Sequence, residues 1–277
     1  MTRAGVAPDW ARARGWELPA FSTMVLAPRR SRHCICVFVL NEGDRVLRQL
    51  TKMRPACAGV DVILADGGST DGSTELEGLR ARGVNTVLTK TGPGALSAQM
   101  RMALAFAVHR GYEGAITIDG NDKDDPAAIP LFQQALDRGA AHVQGSRFVP
   151  GGRHRNTPLQ RLIGVRLLHA PLISHAAGFR YTDTTNGFRA YAPSFLLDPR
   201  VAPFRDVFQR YELHYYLAIR AGELGYPIEE VPVTRTYPAR GPVVTKISPF
   251  KGSVEILRTL GAAARHRFDP APERRQA

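Results

Sequence analysis

The sequence contains few cysteines and no long apolar run, and both shortages exclude kinds of protein. The chain has 277 residues with 3 cysteines, and since no Cys-x-x-Cys pair is present we expect neither a metal site nor a redox site at them. Cys34 and Cys36 stand two residues apart in an apolar segment, which predicts small buried side chains on one face of a strand. No run approaches the roughly 18 apolar residues that a membrane span requires.

Acidic residues are scarce relative to basic ones. The chain has 37 lysines and arginines against 25 acidic residues, and its net charge is +12. Such a balance suits nucleic acid, an anionic membrane surface or a phosphate-bearing substrate. No zinc-finger spacing and no aromatic RNA-binding signature is present, so nucleic acid is not an expected partner. Asp9 and Glu17 interrupt the first 32 residues, which therefore do not resemble a secretory signal, and we expect a cytoplasmic location.

From residue 33 onward, short apolar segments alternate with amphipathic ones. Strands are predicted over residues 34–40, 60–65, 85–88, 115–118 and 141–145, with a further one near 228–233. Helices are predicted over residues 44–53, 73–82, 95–110, 127–138 and 209–224. This alternation is typical of βαβ units and predicts an α/β fold with a mostly parallel sheet covered by helices on both faces. Residues 1–32 are expected to form a polar arm, and residues 261–277 a polar tail.

Two acidic turns follow predicted strands. The first, residues 66–72, reads Asp-Gly-Gly-Ser-Thr-Asp-Gly, and Asp66 ends the strand while Ser69 or Asp71 is placed to cap the next helix. The second runs from Asp119 to Asp125 and contains four carboxylates, one amide and one lysine. Ligands of open α/β sheets bind beyond the carboxyl ends of strands, and carboxylate oxygens suit hard divalent cations. The two turns therefore predict a site for a nucleotide and its metal.

Strand parity separates the side chains of the second turn. If the chain stays extended, Asp119, Asn121 and Lys123 share one face, and Asp122 and Asp124 share the other. Asp119 directly follows an apolar strand, where an unused charge is costly, so a functional role is favoured over a solvated acidic loop.

The second half of the chain carries cationic and apolar segments. Arg147, Arg153 and Arg155 frame a glycine pair, and arginine binds phosphate bidentately, although a solvated basic loop is about equally consistent with the pattern. Residues 159–173 are apolar almost all round, which predicts a helix that is buried or lies at an apolar surface. Asp183 begins a polar turn, and Glu212 opens a helix whose N-terminus favours a carboxylate in any case.

Taken in order, these motifs resemble those of the family 2 glycosyltransferases with the GT-A fold, especially the dolichyl-phosphate mannose synthases and their bacterial polyprenyl-phosphate relatives. The likeness covers about residues 33–260. It rests on six segments: residues 41–42, 66–72, 116–119, 145–152, 182–191 and 225–232. The resemblance implies one GT-A domain, with a nucleotide-binding half over residues 33–146 and an acceptor half over residues 147–260.

The resemblance also implies roles for individual residues. The implied catalytic residues are Asp119, Arg147, Asp183 and Glu212. The implied metal ligands, for Mg²⁺ or Mn²⁺, are Asp119, Asn121 and Asp122. Residues implied to bind the nucleobase and ribose are Asn41, Glu42, Asp66, Gly67 and Ser69. Residues implied to bind the diphosphate, the acceptor or the sugar are Asn121, Lys123, Arg155, Asn186, Arg189 and Lys246, the last on a loop that closes over the site.

This sequence departs from the family pattern at the metal. The family usually has Asp-x-Asp, often followed by glutamine two residues later, whereas Asn121 and Lys123 stand at those positions here. Lys123 could neutralise the diphosphate directly, and Asp122 or Asp124 could supply the missing ligand. The resemblance implies an inverting transfer from a nucleotide-diphosphate sugar to a polyprenyl phosphate, by a protein peripheral on the cytoplasmic membrane face. Two alternatives are transfer to a hydroxyl, with Asp183 or Glu212 as base, and a non-catalytic nucleotide-sugar-binding protein.

Overall fold

A mixed β-sheet forms the centre of the protein. The computed structural model describes residues 7–239 and 258–271. The strands are β1 Phe21–Val25, β2 His33–Val39, β3 Val60–Asp66, β4 Val84–Lys90, β5 Gly114–Asp119, β6 His142–Ser146, β7 Arg153–Arg155, β8 Arg189–Tyr191, β9 Ile228–Pro232 and β10 Thr234–Thr236. Eight of these described strands form one sheet, while β7 and β10 form a separate two-stranded sheet.

Helices cover both faces of the sheet. They are α1 Asp9–Arg12, α2 Asp44–Met53, α3 Leu76–Arg80, α4 Leu96–His109, α5 Ile129–Asp137, α6 Leu159–Gly164, α7 Ala170–Ala177, α8 Pro193–Leu196 and α9 Glu212–Glu223. A π-helical turn, Val165–His169, joins α6 to α7, and 3₁₀ turns lie at Arg54–Cys57 and Pro126–Ala128.

The strand order brings the acidic turns to one edge of the sheet. The order is β1-β4-β3-β2-β5-β8-β6-β9. Strands β4, β3, β2 and β5 are parallel, as are β6 and β9, whereas β1 and β8 run antiparallel to their neighbours. The predicted α/β fold with a mixed, mostly parallel sheet is confirmed. In this register Val39 of β2 lies opposite Asp66, and Phe38 lies opposite Asp119.

Alternation along β2 builds a hydrophobic core on each face of the sheet. Cys34, Cys36 and Phe38 pack on the face that α4 covers, while the intervening residues of β2 pack on the face that α2 and α5 cover. Helix α4 is almost wholly buried because its alanines allow a close approach to the strands. Cys34 and Cys36 are free and buried, as predicted.

The segments outside residues 33–260 are more ordered than predicted. The N-terminal segment supplies β1, which pairs antiparallel with β4, and Trp10 stacks on His109 with ring centroids 4.1 Å apart. Residues 258–263 are helical, and Leu260 and Ala263 pack beside α9. Phe268 contacts Phe208, with ring centroids 5.8 Å apart. These segments are polar on average, but their few apolar residues are spaced so that they reach the core.

In the helix pair α6 and α7, an exposed apolar surface lies on α6 and on the π-helical turn that follows it. The exposed side chains of this apolar patch are Leu159 (69% exposed), Ile163 (49%), Leu167 (74%) and Leu168 (45%). The opposite side of the pair is anchored by Val165, Ile173 and Ala177, which are buried. The apolar segment predicted over residues 159–173 is thus helical, with one face buried and the other face exposed at the surface. Within the described ranges no helix combines the length and the apolar character that a bilayer crossing demands.

Two histidines are buried, His142 on β6 and His214 on α9. Burial, reinforced by the nearby Arg189, lowers the pKa of both well below the ordinary 6.5. The imidazole of His142 bonds the Tyr181 hydroxyl at 3.1 Å and stacks on Tyr191. The folded protein therefore holds both rings neutral, while the unfolded chain takes up protons as the pH falls below their ordinary pKa.

Acidification should therefore destabilise the protein through these two rings. Each ring should lower the free energy of unfolding by about 1.4 kcal/mol for every pH unit below about 6.5. Urea unfolding at a series of pH values measures this slope. His142→Gln keeps a hydrogen-bonding side chain but removes one titrating group, so its slope should be lower by one such increment. The exposed His175→Gln should keep the wild-type slope, and an unchanged slope in His142→Gln would contradict the prediction.

Candidate active site

The turns after β2 and β3 are tied together around Asp66. Asp66 is buried, and its Oδ1 accepts hydrogen bonds from the Ser69 backbone N–H at 2.9 Å and from the Ser69 hydroxyl at 2.7 Å. The Ser69 hydroxyl accepts a bond from the Asn41 backbone N–H at 2.9 Å, and Asn41 Oδ1 accepts one from the Thr70 N–H at 2.8 Å. Asn41 and Ser69 therefore hold this edge of the sheet in place.

The remaining residues of these turns have mixed roles. Glu42 pairs with Arg45 at 2.9 Å. At Gly67 a Cβ would lie 3.3 Å from the Val39 carbonyl oxygen, so the turn packs closely on β2. The helix cap expected from Ser69 or Asp71 is absent, because no side chain caps α3. Asp71 instead joins the two turns by accepting bonds from the Gly43 N–H at 2.8 Å and the Ser73 hydroxyl at 2.6 Å.

Asp119 ends β5 at the same edge, and its side chain is 26% exposed. Its Oδ2 lies 3.3 Å from the Arg235 guanidinium and 3.4 Å from Nδ2 of Asn121. Gly187 lies against the carboxylate, because a Cβ there would come within 2.9 Å of Asp119 Oδ1. The turn that begins at Asp183 therefore packs directly beside Asp119.

Asp122 does not reach Asp119. Its backbone has a φ of 59°, so the chain does not stay extended and the predicted parity fails there. The Asp122 carboxylate bonds Lys52 at 2.8 Å and Arg48 at 3.3 Å, both on α2. This correction removes Asp122 from the proposed metal ligands.

Strand β10 pairs with the turn after β5 and brings an arginine into it. The Thr236 N–H donates to the Lys123 carbonyl at 2.8 Å. Arg235, the central residue of β10, thereby lies between Asp119 and Asp124, and its guanidinium bonds both carboxylates. Arg235 and Asp124 are both buried. The turn is therefore an ion-paired cluster and not a solvated acidic loop.

The two carboxylates of this cluster and Arg235 stabilise one another's charges, whereas Lys123 is disfavoured as a cation. Burial raises the pKa of Asp124 to about 6, and Arg235, which acts in the opposite direction, keeps it ionised at neutral pH. Burial disfavours the charged guanidinium, but Asp124 and Asp119 outweigh it and raise the pKa of Arg235. Burial and the charge of Arg235 lower the pKa of Lys123.

Arg147 and Asp183, both predicted to be catalytic, form a buried ion pair with each other. Arg147 Nε lies 2.6 Å from Asp183 Oδ2, and the second arm of the guanidinium lies 3.0 Å from Oδ1. The same arm donates to the Thr185 hydroxyl at 2.9 Å. Since both oxygens of Asp183 already accept bonds from a cation, the carboxylate is poorly placed to take a proton from an acceptor hydroxyl. The pair instead fixes the turn beside Asp119.

Arg189 lies behind the site, at odds with the substrate contact predicted for it. It is buried, and its guanidinium donates to the backbone carbonyls of Asn186 at 3.0 Å, Thr184 at 2.7 Å and His214. Asn186 is buried too, and its Oδ1 accepts a bond from the Phe188 N–H at 3.0 Å. Arg189 thus holds the turn against α9, and Asn186 stabilises the turn internally through its bond to Phe188.

Neither Glu212 nor Arg155 bonds to Asp119 in the part of the chain that the structure describes. Glu212 begins α9, and its Oε2 accepts a bond from the Arg210 N–H at 2.7 Å. The backbone N–H of the next residue, Leu213, donates to the Ser97 hydroxyl of α4 at 3.1 Å. Arg155 is exposed on β7. Lys246 lies outside the described residues.

Sequence reasoning missed Arg235 and Tyr237. Every second residue of this segment is buried, namely Val231, Val233, Arg235 and Tyr237. An arginine in the buried phase of an alternating strand is unusual without a partner, and that was the available signal.

Tyr237 joins Arg235 to α6. Its hydroxyl accepts a bond from Arg161 at 3.0 Å. The Lys123 ammonium lies 5.6 Å from the centre of its ring, and the Arg235 guanidinium lies 5.8 Å from it. Burial favours the neutral phenol, but Arg235 and Arg161 outweigh it and lower the pKa of Tyr237. A line of cations therefore runs from Asp119 to the helix that carries the apolar patch.

The residues around Asp119 do not fit the predicted Mg²⁺ or Mn²⁺ ion. Such ions need several hard oxygen ligands and a surplus of negative charge. Among the described residues, the available donors here are the carboxylate of Asp119 and two buried oxygens without a hydrogen-bond partner, Asn121 Oδ1 and Asp124 Oδ1. Asp124 Oδ2 is bonded to Arg235, which compensates the charge of that carboxylate, and Lys123 adds a second positive charge.

Comparison with known proteins agrees with the fold. No family model matches the chain. Over 243 residues the chain is 27% identical to polyprenol monophosphomannose synthase of Mycolicibacterium smegmatis, covering 87% of this chain and 90% of that protein. Over 197 residues it is 30% identical to undecaprenyl-phosphate mannosyltransferase of Micrococcus luteus, covering 70% of this chain and 79% of that protein.

Solved structures share the architecture. Glucosyl-3-phosphoglycerate synthase of Mycobacterium tuberculosis, in complex with Mn²⁺, UDP-glucose and phosphoglyceric acid, superimposes with a TM-score of 0.59 at 17% identity. The match covers 85% of this chain and 80% of that one. At this identity the likeness shows the GT-A fold alone. Together with the 30% identity to the Micrococcus protein and the strand-end residues Asp66 and Asp119, it shows that the chain belongs to the family 2 glycosyltransferases, in the group of the polyprenyl-phosphate glycosyltransferases.

Proposed function

We propose that this glycosyltransferase moves a sugar from a nucleotide-diphosphate sugar to a polyprenyl phosphate, with inversion at the anomeric carbon. The relatives named for polyprenol and undecaprenyl-phosphate mannosylation support this acceptor. The observation that carries the proposal is the continuity between the apolar patch and the cations at Asp119.

This continuity runs through three side chains. Arg161 lies on α6 between the patch residues Leu159 and Ile163, and it bonds the Tyr237 hydroxyl at 3.0 Å. The Arg235 guanidinium lies 5.8 Å from the centre of the Tyr237 ring and contacts Asp119. A polyprenyl phosphate has an apolar chain and an anionic head, so it matches both ends of this path.

The chemistry requires charge stabilisation more than proton removal. In the proposed reaction an oxygen of the acceptor phosphate attacks the anomeric carbon, and the bond to the nucleoside diphosphate breaks. The phosphate is already anionic, so no strong general base is needed. This agrees with Asp183, whose oxygens are both engaged by Arg147. The cations beside Asp119 would stabilise the charge that develops on the departing diphosphate.

Transfer into lipid tests the proposal directly. Purified protein is incubated with a bacterial lipid extract and nucleotide-activated mannose or glucose labelled in the sugar, and a labelled lipid is expected with at least one donor. Label in a water-soluble glycoside alone would favour a hydroxyl acceptor. Donor binding without any labelled product would favour a non-catalytic protein, and both outcomes would reject the proposed acceptor.

We also propose that the protein binds peripherally at the cytoplasmic face of an anionic membrane through the apolar patch. The patch is flanked by Arg161 and Arg166, and apolar side chains beside arginines suit an interface with anionic lipids. Binding there would bring the acceptor phosphate to the cations that lead to Asp119.

Leu167→Asp should therefore weaken binding to phosphatidylglycerol-containing vesicles. Loss of one inserted leucine removes roughly 1.5–3 kcal/mol, which is about a tenfold to hundredfold reduction in affinity. Co-sedimentation with vesicles measures it. Leu197→Asp is the matched control, because Leu197 is exposed but lies after α8, outside the patch. Equal binding of Leu167→Asp and the wild type would contradict a membrane role for the patch.

The structure of glucosyl-3-phosphoglycerate synthase in complex with UDP and glucosyl-3-phosphoglycerate also contains Mn²⁺. In this chain the predicted Mg²⁺ or Mn²⁺ would lie at Asp119 and Asn121, where Arg235 and Lys123 compete with it for negative charge.

A further inference from the structure

We propose that Arg235, together with Lys123, takes the place of the divalent cation and holds the diphosphate of the donor. This inference rests on the proposed transfer from a nucleotide-diphosphate sugar. It assigns a binding role to Arg235, which the resemblance does not identify, and it predicts a glycosyltransferase that works without metal.

The first argument is the charge of the cluster. Asp119 and Asp124 contribute two negative charges, and Arg235 and Lys123 contribute two positive charges. The cluster is therefore neutral before any ligand binds. A divalent cation would bring two uncompensated charges next to a buried guanidinium, where low polarity strengthens repulsion.

The second argument is the commitment of the carboxylate oxygens. Asp119 Oδ2 is within 3.4 Å of both Arg235 and Asn121. Asp124 is buried, and its Oδ2 is bonded to Arg235. Asp122 is bonded to Lys52 at 2.8 Å on the far side of the turn. To bind a metal through Oδ2, Asp119 would first have to give up its contact with Arg235.

The third argument is the way in which Arg235 is held. The backbone of β10 pairs with the turn after β5, including the bond from the Thr236 N–H to the Lys123 carbonyl. The ion pair with Asp124 holds the guanidinium of Arg235 in place. A planar guanidinium offers several donors in a fixed geometry, which suits the oxygens of a diphosphate. Hydrogen-bond donors that are already in position stabilise a departing anion most effectively, because they need no rearrangement during the reaction.

The test measures binding of UDP and of GDP to the full chain by calorimetry, in excess EDTA and in excess MnCl₂. We expect at least one nucleotide to bind in EDTA, with a Kd within about threefold of the value in Mn²⁺, a difference of about 0.7 kcal/mol. Binding that requires Mn²⁺ would overturn the inference and leave the proposed function standing. Absence of binding by both nucleotides under both conditions would reject the proposed donor and the inference with it.

Variants locate the effect. Arg235→Lys keeps the charge but loses the planar donors, and it should weaken nucleotide binding in EDTA about tenfold. The exposed Arg200→Lys is the matched control and should leave binding unchanged. Unchanged binding in a folded Arg235→Lys protein would count against the role of Arg235.

A gain of metal binding provides a second check that does not depend on Arg235. The double variant Asn121→Asp with Lys123→Gln removes one positive charge and adds one negative charge. We expect it to bind Mn²⁺ alone, measured by electron paramagnetic resonance, at least about tenfold more tightly than the wild type. Tight Mn²⁺ binding by the wild type would show instead that the native site already accepts the ion, and the inference would fail.

Discussion

Asp119→Ala should reduce sugar transfer about a hundredfold to a thousandfold while the protein stays folded. Asp119 ends β5 at the edge where β2, β3 and β5 meet, and its carboxylate orients Arg235 and contacts Asn121. Loss of one preoriented polar group at a charge-developing centre typically has an effect of this size. Initial rates of labelled lipid formation measure it, and the circular dichroism spectrum and Tm monitor folding.

Asp122→Asn is the matched control, because Asp122 is on the same turn but its carboxylate bonds Lys52 and Arg48 on α2. Its transfer rate should stay within about threefold of the wild-type rate, and its stability should fall by at most about 1 kcal/mol, as for a mostly surface ion pair. A collapse of activity in Asp122→Asn with normal activity in Asp119→Ala would reverse the assignment.

Asp183→Ala should cost about 3–5 kcal/mol of unfolding free energy. It leaves the Arg147 guanidinium buried without its carboxylate partner, and an uncompensated buried charge is strongly destabilising. Both side chains are almost completely buried, so water cannot replace the lost partner. Urea unfolding at neutral pH measures the loss. At this size the variant is expected to be marginally stable at physiological temperature.

A double-mutant cycle separates pairing from packing. Arg147→Met with Asp183→Leu removes both charges and keeps much of the volume, so it should lose less stability than the sum of the single variants. The surface pair of Arg32 and Glu113 provides the comparison, because Glu113→Ala there should cost at most about 1 kcal/mol. Additive effects at Arg147 and Asp183 would show that their bond does not stabilise the fold.

These two predictions divide the predicted catalytic residues into two kinds. Asp119 is partly exposed and should affect transfer, whereas Arg147 and Asp183 are buried and should affect the stability of the turn beside it. The loss of Asp183 as a base weakens the case for a hydroxyl acceptor. The stability assay and the transfer assay therefore report on different parts of the same site.

Much of the architecture could be predicted from sequence because it depends on local periodicity. The apolar run of β2 and the helical spacing of apolar residues in α4 are visible in the sequence, and both elements form as predicted. Asp66 and Asp119 lie at strand ends, so a parallel sheet brings them to one edge whatever the details of packing. The ordered N-terminal segment was missed because its polar average hid the apolar residues that pair with β4 and pack on α4.

The sequence by itself determined the fold, the family and the position of Asp119, because strand length, alternation and the order of motifs are properties of neighbouring residues. Only the tertiary structure decided which charges meet. The left-handed backbone at Asp122 turns that carboxylate toward α2, and the pairing of β10 with residues 123–125 brings Arg235 to Asp119 across more than a hundred residues of chain. Ion pairing depends on distance in space and on burial, and neither quantity can be read from spacing along the chain.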